Sequence, residues 1–296
     1  MGVENRPPGW QAERIKAVLG ITTIVVVTVI YLIPVFWIVL TSFKQWDDVQ
    51  AVPPRFFFAP TLENYSYLPV NRVFDQSGSR VVGESGFFQK IGNSAVIGLV
   101  STFFAVGLGL LSAYAFSRFR VKGKSDMLFF ILSTRMMPPV VVVIPIYLMY
   151  NFLGLRDTHL GMIVLYTVFN LSFAVWLLKG FVDEIPREYE DAALVDGYTR
   201  FQAFCKVVAP QAVTGIAATA VFCLITAWNE FAFALILTDQ RAITAPPFIV
   251  SRLGAAGTDW GQIAASTVVF VLPIAIFTFL MRNHLLRGIT FGAIKK

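Results

Sequence analysis

Residues 17–41 read AVLGITTIVVVTVIYLIPVFWIVLT and contain no charged side chain. A helix needs roughly 20 apolar residues to cross the hydrocarbon core of a bilayer, so this stretch predicts a transmembrane helix. Arg6, Arg14 and Lys16 precede it, but the apolar run is longer than a signal-peptide core and lacks an Ala-x-Ala type cleavage site. We therefore expect it to remain in the protein as the first span.

The rest of the chain shares this apolar character. Of its 296 residues, 56% are hydrophobic and only 14% are charged, and the mean hydropathy is +0.67, far outside the range of soluble domains. Together with the first stretch, Ala17 to Thr41, five more predict spans: Ile91 to Phe116, Asp126 to Tyr150, Leu160 to Leu178, Gln211 to Thr238 and Gln262 to Met281. The sequence thus predicts an all-α membrane protein with six transmembrane helices across residues 17–281.

The distribution of Lys and Arg predicts the orientation of these spans. With residues 1–16 placed in the cytoplasm, the inner segments hold almost twice as many cations as the outer ones. The basic run Arg118 to Lys124 and the tail, residues 282–296, contribute most, so both termini are expected to be cytoplasmic. The net charge of +6 then reflects membrane topology, and we expect no nucleic-acid partner.

The predicted periplasmic loop, residues 42–90, is the longest outer segment. It contains Pro53-Pro54 and a Gly/Ser-rich patch at residues 77–86, so we expect partly ordered structure that either contacts a partner or caps the bundle. Within the spans, prolines and the small residues Gly107, Gly109 and Ala113 allow kinks and close helix packing.

A polar loop between the predicted spans four and five, residues 180–209, predicts two short helices. Pro186 suits a first helical turn and Gly197 suits a helix end, while Thr199 and Gln202 form a capping-box pattern before Pro210 marks the next boundary. Such a helix pair, held by two flanking spans, either presents its apolar residues to another protein or packs on its own bundle.

The run from Glu190 to Gly197, followed by Val207 to Pro210, resembles the Glu-Ala-Ala loop of binding-protein-dependent ABC importer permeases. The sequence departs from that pattern at Asp191, Val207 and Ala209, each a conservative change. Further pieces resemble the carbohydrate-importer branch, similar to the second permease of the maltose type: Thr61 to Tyr65, Asn93-Ser94, Ala113 to Phe116 with Arg118-Phe119, Trp228 to Phe231, and Arg287 to Lys295.

This resemblance implies a non-catalytic permease with a cytoplasmic coupling helix between spans four and five. The residues implied to couple to an ATPase are Glu190, Asp191, Ala192, Ala193, Leu194, Asp196 and Gly197, and those of an ATPase-contacting tail are Gly288, Thr290, Gly292 and Lys295. The implied partners are a second permease in a heterodimer, two ATPase subunits that carry ATP and Mg, an extracytoplasmic solute-binding protein and a sugar-like substrate. The implied location is the bacterial inner membrane, and this chain is expected to bind no cofactor.

Four residues are candidates for the substrate path. Arg135 lies inside a predicted span, where an arginine is costly unless it faces a partner or a wet cavity. Two roles for Arg135 are open: it binds an anionic or hydroxyl-rich solute, or it forms a structural pair with a carboxylate such as Glu230. Trp228, Asn229 and Glu230 offer a ring, an amide and a carboxylate that suit sugar recognition, although an interfacial aromatic with polar neighbours fits equally well.

The sequence offers little support for nucleotide binding, metal binding, secondary transport or catalysis. Gly123-Lys124-Ser125 resembles the end of a phosphate-binding loop, but Arg118 stands where the upstream glycine is required. His159 and His284 have no neighbours at metal-ligand spacing, and Cys205 and Cys223 are expected to be ordinary thiols. A secondary transporter would need paired intramembrane acidic groups, and a membrane enzyme would need clustered catalytic groups; neither pattern is visible.

Overall fold

The computed structural model describes residues 10–75, 78–252 and 259–290. One two-stranded antiparallel sheet in the described residues consists of β1 (Val70–Asp75) and β2 (Gly78–Glu84). The helices, in chain order, are α1 (Trp10–Ser42), α2 (Trp46–Val49), α3 (Glu63–Ser66), α4 (Phe87–Arg118), α5 (Lys124–Thr134), α6 (Pro139–Leu153), α7 (His159–Glu184), α8 (Arg187–Val195), α9 (Arg200–Ala203), a π-helical turn (Phe204–Val208), α10 (Ala209–Gln211), α11 (Val213–Trp228), α12 (Ala232–Leu237), α13 (Ala245–Ser251) and α14 (Trp260–Thr290).

Four of these helices contain continuous stretches long and apolar enough to cross a membrane. The stretches are Lys16–Ser42, Phe87–Arg118, His159–Glu184 and Trp260–Arg282. Two further pairs of helices reach that length only across a bend, so the described residues hold four to six spans. Each of the six apolar stretches predicted from the sequence overlaps one of these helices or bent pairs, which confirms the predicted fold class.

The predicted third span, Asp126 to Tyr150, is not one straight helix. α5 and α6 are bent by 89° across a break at residues 135–138. Pro138 takes an extended conformation as the N-cap of α6, and Pro139 begins the helix. Two consecutive prolines lack the N–H groups that would continue α5, and each disfavours helical geometry in the residue before it, so the break lies here.

The predicted fifth span, Gln211 to Thr238, also differs from the structure. It contains α11 and the short helix α12, separated at residues 229–231, while the run Arg200–Gln211 meets α11 at a bend of 74°. The last apolar stretch, Trp260–Arg282, ends one residue beyond the predicted limit at Met281, and the helix that contains it, α14, runs on to Thr290 within the predicted tail.

The predicted outer loop contains the β-hairpin, which the all-α prediction did not include. β1 and β2 pair in a register from Val70 opposite Glu84 to Asp75 opposite Gly78, with an irregularity between Asn71 and Arg72. The loop is therefore partly ordered, as its sequence predicts.

The described residues form two compact units. The first comprises residues 10–68 and 259–268. Within it, the buried Asn64 amide donates to Ser42 O at 3.0 Å and to Lys44 O at 2.8 Å, which fastens α3 to the end of α1. A Cβ on Gly261 would lie 2.7 Å from Asn64 Oδ1, so only glycine fits at this contact.

The second unit comprises residues 69–75, 78–252 and 269–290 and is built around the pair α4 and α7, with α11 packed against both. A Cβ on Gly109 would lie 2.7 Å from Ala174 Cβ, so the missing side chain sets how closely α4 and α7 approach. One apolar cluster surrounds Leu110 and Leu178, and another surrounds Ile97 and Tyr166 further towards the opposite end of the pair.

Candidate functional site

The loop that resembles a coupling element folds into the two helical pieces predicted for it. Pro186 is the N-cap of α8, and Gly197, after its end, has a φ of +87°, which glycine adopts without the cost that a Cβ imposes. The capping box is present: the Thr199 hydroxyl accepts from Gln202 N at 3.2 Å, and Thr199 N donates to Gln202 Oε1 at 2.8 Å.

The second piece does not end before Pro210 as predicted. α9 continues through a π-helical turn into α10, with Pro210 in the first turn of α10. The π-helical turn anchors this part of the loop, because Phe204 and Val208 are buried in the cluster that contains Leu178 and Val182. The run is thus fixed to the bundle by its apolar side chains.

The seven implied coupling residues divide into two sets by exposure. Asp191, Ala192, Asp196 and Gly197 are exposed and Leu194 is half-buried, and the neighbouring Val195 is 88% exposed. Glu190 and Ala193 are only 4% and 6% exposed and point into the bundle. The more exposed set, which we name the docking surface for the role proposed for it, comprises Asp191, Ala192, Leu194, Val195, Asp196 and Gly197.

Glu190 is held by residues at the end of α4. Arg118 Nε donates to Glu190 Oε2 at 2.8 Å, both side chains being only 5% exposed, and the Tyr114 hydroxyl donates to Glu190 Oε1. Arg118 also donates to Ile185 O at 2.8 Å, which ties the junction of α7 and α8 to the same point. Because a buried carboxylate needs a compensating charge, this pair stabilises the contact between α8 and α4.

Further contacts surround this buried pair. Arg187 donates to Ser117 O at 2.8 Å, and the ring of Tyr114 packs against Phe204 with centroids 4.9 Å apart. Arg200 lies over the ring of Phe119 at 5.6 Å. Both helical pieces of the loop therefore contact the last turns of α4 or the residues that follow it.

The opposite end of the α4 and α7 pair carries a different polar cluster. The Asp157 carboxylate, in the loop before α7, accepts from the backbone N–H groups of four consecutive residues, Asp239, Gln240, Arg241 and Ala242, at 3.0–3.2 Å. Burial alone would raise the pKa of Asp157, but these donors outweigh it and lower the pKa to about 2. The Asn93 amide donates to Arg241 O and Ile243 O at 2.9 Å, which holds the same segment against α4.

A cavity of about 200 Å³ lies between α5, α7 and α11, where Arg135 and Glu230 both line the wall. Arg135 is not in a continuous span: it is the C-cap of α5, at the break before α6. Its guanidinium donates to Phe169 O at 3.0 Å and lies 5.5 Å from the Phe173 ring centroid. The polar side chains on the wall are Arg135, Tyr166, Asn170, Thr226 and Glu230.

Glu230 has partners other than Arg135. It accepts from the Tyr166 hydroxyl at 2.6 Å and from the N–H groups of Phe233 and Ala234 at 2.8 and 3.1 Å, so it caps α12. No ion pair joins Arg135 and Glu230 among the residues that the structure describes. The Glu230 carboxylate thus has its hydrogen bonds from Tyr166 and from the first turn of α12. The Arg135 guanidinium, by contrast, retains unused N–H donors beside the cavity.

The Trp228 ring is packed between helices and offers no free face on which a sugar could stack, whereas Asn229 is exposed. The Trp228 ring is 5% exposed and stacks on Phe270 with centroids 5.5 Å apart, and its Nε1 donates to Phe270 O at 3.1 Å. The Asn229 amide donates to Ile225 O at 2.9 Å, at the end of α11. Of the predicted path residues, the structure brings Arg135 and Glu230 together at one cavity and places Trp228 in the packing between helices.

The remaining candidates are placed as follows. Gly288 and Thr290 lie in the last turns of α14, whereas Gly292 and Lys295 lie outside the described residues. Cys205 is exposed, Cys223 is buried, and both are free thiols. Nε2 of His159 lies 2.9 Å from Asn93 Oδ1, and the described residues hold no group of three His, Cys, Asp or Glu side chains arranged for a metal.

Sequence reasoning did not predict the partners of these groups. The sequence gives Tyr114 a place only in the family resemblance and Arg118 a place in the resemblance and in the basic run, and it points to no role for Asp157, Tyr166, Asn170 or Thr226. A polar Asn170 within an apolar stretch is a signal that sequence alone offers. The partners of Glu190 lie 72 and 76 positions away, and no local pattern links them.

Comparisons with known proteins agree on the class. The family described as binding-protein-dependent transport system inner membrane component matches residues 105–291. The probable ABC transporter permease protein y4oR of Sinorhizobium fredii is 35% identical over 91% of this chain and 92% of its own length. The trehalose transport system permease protein SugB of Mycobacterium tuberculosis is 34% identical over 89% of this chain and 92% of its own.

A solved structure supports the fold. A bacterial ABC transporter involved in the import of the acidic polysaccharide alginate matches with a TM-score of 0.71 and 21% identity, over 92% of this chain and 97% of that one. The chain belongs to the binding-protein-dependent transport system inner membrane component family. It is a multi-pass membrane protein and a permease subunit of an ABC importer.

Proposed function

We propose that this chain forms, with a second permease subunit, the translocation path for a sugar, polyol or related sugar derivative. Two ATPase subunits supply the energy by hydrolysing ATP with Mg, and an extracytoplasmic solute-binding protein delivers the substrate. Support for the substrate class comes from the names of relatives, which include a trehalose permease and the trehalose/maltose permease MalG of Thermococcus litoralis, 29% identical over 96% of this chain.

The observation that carries the proposal is the placement of α8. Its buried side is joined to the end of α4 through Glu190, whereas its docking surface, residues 191–192 and 194–197, is exposed apart from the half-buried Leu194, with Val195 88% exposed. An exposed apolar side chain flanked by polar ones on a fixed short helix suits insertion into a groove of another protein. We assign that groove to an ATPase subunit, with both termini of this chain on the same side of the membrane.

The cavity at Arg135 is our candidate for part of the substrate path. Its wall offers a guanidinium with unused donors, together with the hydroxyl and amide groups of Tyr166, Thr226 and Asn170. Such groups recognise sugar hydroxyls and carboxylates. The tail residues Gly288, Thr290, Gly292 and Lys295 are proposed as a second contact with the ATPase.

The test is co-purification of the tagged chain with the ATPase subunits, co-expressed from the native operon. Gly197→Asp puts a carboxylate on the docking surface, at a φ of +87°, and we expect at least about a tenfold loss of bound ATPase, since burying an unpaired charge is strongly unfavourable. Gly154→Asp is the matched control, because Gly154 also has a positive φ, +66°, and follows the C-terminus of α6.

The two variants separate docking from folding. Retention of ATPase by Gly154→Asp and its loss from Gly197→Asp support the proposal. Folded wild-type chain that purifies without any ATPase contradicts it. Uptake that stops with a protonophore, yet continues when ATP hydrolysis is blocked by vanadate, also contradicts it and indicates an ion-driven transporter.

A further inference from the structure

α8 carries acidic side chains on two different faces. Glu188 and Asp191 are exposed, whereas Glu190 is 4% exposed and bonded to Arg118 and Tyr114. The family resemblance places Glu190 next to the residues that touch an ATPase, yet the geometry turns its carboxylate away from that surface. Glu190 therefore needs a role inside this chain.

We propose that Tyr114, Arg118 and Glu190 form a positioning link that makes α8 and α4 move as one body when the ATPase subunits close. The link rests on the proposed function, since it assumes that α8 receives the force. It assigns to Glu190 the transmission of movement to a membrane span, and it leaves contact with the ATPase to the docking surface.

The chemistry of the link explains why it transmits movement. Apolar side chains slide past one another at little cost, but hydrogen bonds to charged groups are directional and are lost when helices shift by an ångström or two. The Glu190 carboxylate uses one oxygen for the Arg118 guanidinium and the other for the Tyr114 hydroxyl. Separating α8 from α4 would leave both charges buried and unpaired, which is strongly unfavourable.

The link also includes the end of α7. Arg118 donates to Ile185 O at 2.8 Å, between the last residue of α7 and the first of α8. Arg187 donates to Ser117 O at 2.8 Å, so donors run in both directions between α4 and the loop. A push on α8 is thereby delivered to the paired spans α4 and α7, whose close packing at Gly109 transmits it further.

The experiment measures the distance between spin labels in the complex with its ATPase subunits. Cysteines replace Leu111 on α4 and Tyr189 on α8, both exposed, in a Cys205→Ser background, while the buried Cys223 is retained. In the otherwise native chain we expect the same distance without nucleotide and with ATP trapped by vanadate. In Glu190→Gln and Tyr114→Phe, we expect that the resting distance is kept and the trapped distance shifts by about 2 Å or more or broadens, the scale of helix shifts in switching proteins.

The control is Glu188→Gln, which removes a charge from the exposed face of the same helix and should behave like the wild type. Tyr114→Phe removes one oxygen and keeps the ring that packs against Phe204, so it preserves the fold. A merely structural role would alter the resting distance as well.

Two outcomes overturn the link. One is that Glu190→Gln and Tyr114→Phe keep the wild-type distance in both states, and the other is that the wild-type distance itself changes when ATP is trapped. Association of the ATPase is measured in the same preparations. If the wild type binds no ATPase, the proposed function fails and the link fails with it, whereas normal association with unchanged distances in the variants overturns only the link.

Discussion

At one end of the α4 and α7 pair, the charge of Glu190 is balanced by the side chain of Arg118. At the other end, the Asp157 carboxylate accepts hydrogen bonds from the backbone N–H groups of residues 239–242. The first arrangement depends on the identity of two distant side chains and joins two helices. The second depends on backbone N–H groups, which every residue except proline supplies, and fixes a loop. The difference suggests that the first end transmits movement while the second end holds a segment in place.

The largest expected effect comes from breaking the charge pair. Arg118→Ala leaves the Glu190 carboxylate buried without its counter-ion, which should lower the free energy of unfolding by about 3–5 kcal/mol. Thermal unfolding in detergent micelles measures this change. Arg120→Ala, an exposed arginine two residues later, is the control and should have little effect.

A double variant sharpens this test. Replacing Arg118 and Glu190 together by methionine removes both charges, so it should recover a large part of the stability lost in Arg118→Ala. If Arg118→Ala is as stable as Arg120→Ala, the pair of Arg118 and Glu190 does not stabilise this end of α4 and α7.

A smaller effect is expected from the contact that joins the two ends. In Gly109→Ala, the new Cβ would lie 2.7 Å from Ala174 Cβ, so α4 and α7 must move apart, at a cost of about 1–3 kcal/mol. Gly107→Ala adds the same atom where nothing lies within 4 Å. Equal melting temperatures for the two variants would refute the close approach of α4 and α7.

Breaking the backbone cradle should cost less than breaking the charge pair. Asp157→Asn replaces the carboxylate by a neutral amide that accepts fewer hydrogen bonds, and we expect a loss of about 1–2 kcal/mol. Asp239→Asn is the matched control, because only the backbone N–H of Asp239 contributes to the cradle. The same unfolding assay applies, and a control that is as destabilising as Asp157→Asn would contradict the cradle.

The smallest effect is a dependence on pH. Asp157 has a pKa lowered to about 2 from an ordinary value of 3.8, so its contribution is complete above pH 3.8 and is lost as the pH falls through about 2. The stability difference between the wild type and Asp157→Asn should therefore shrink between pH 4 and pH 2. A difference that stays constant over this range would show that the carboxylate is not held in its charged form.

The prediction of spans succeeded because the signal is local. An apolar run long enough to cross a membrane is visible in Ala17 to Thr41 without reference to the rest of the chain, and the capping box at Thr199 lies within four residues. The prediction was less accurate where helices bend. Pro138-Pro139 was visible in the sequence, but a kinked continuous helix and a bend of 89° have the same apolar pattern.

The predicted substrate-path residues show the same limit of local sequence signals. Arg135 was recognised because an arginine in an apolar stretch is costly, and the structure places it at a cavity. Trp228, Asn229 and Glu230 were predicted to act together because a ring, an amide and a carboxylate, which suit sugar recognition, follow one another in the sequence. Consecutive residues at the end of a helix point in different directions, so Trp228 packs on Phe270 while Glu230 caps α12.

The sequence by itself determined the membrane class, the apolar stretches, the short helices of the loop and, through its resemblance, the family. Only the tertiary structure decided that Glu190 faces Arg118, that Asp157 binds residues 239–242, and that Arg135 and Glu230 share a cavity without pairing. The physical reason is that backbone geometry and apolar periodicity are encoded by neighbours. Buried polar groups are instead satisfied by whichever partners packing brings within about 3 Å, often many residues away.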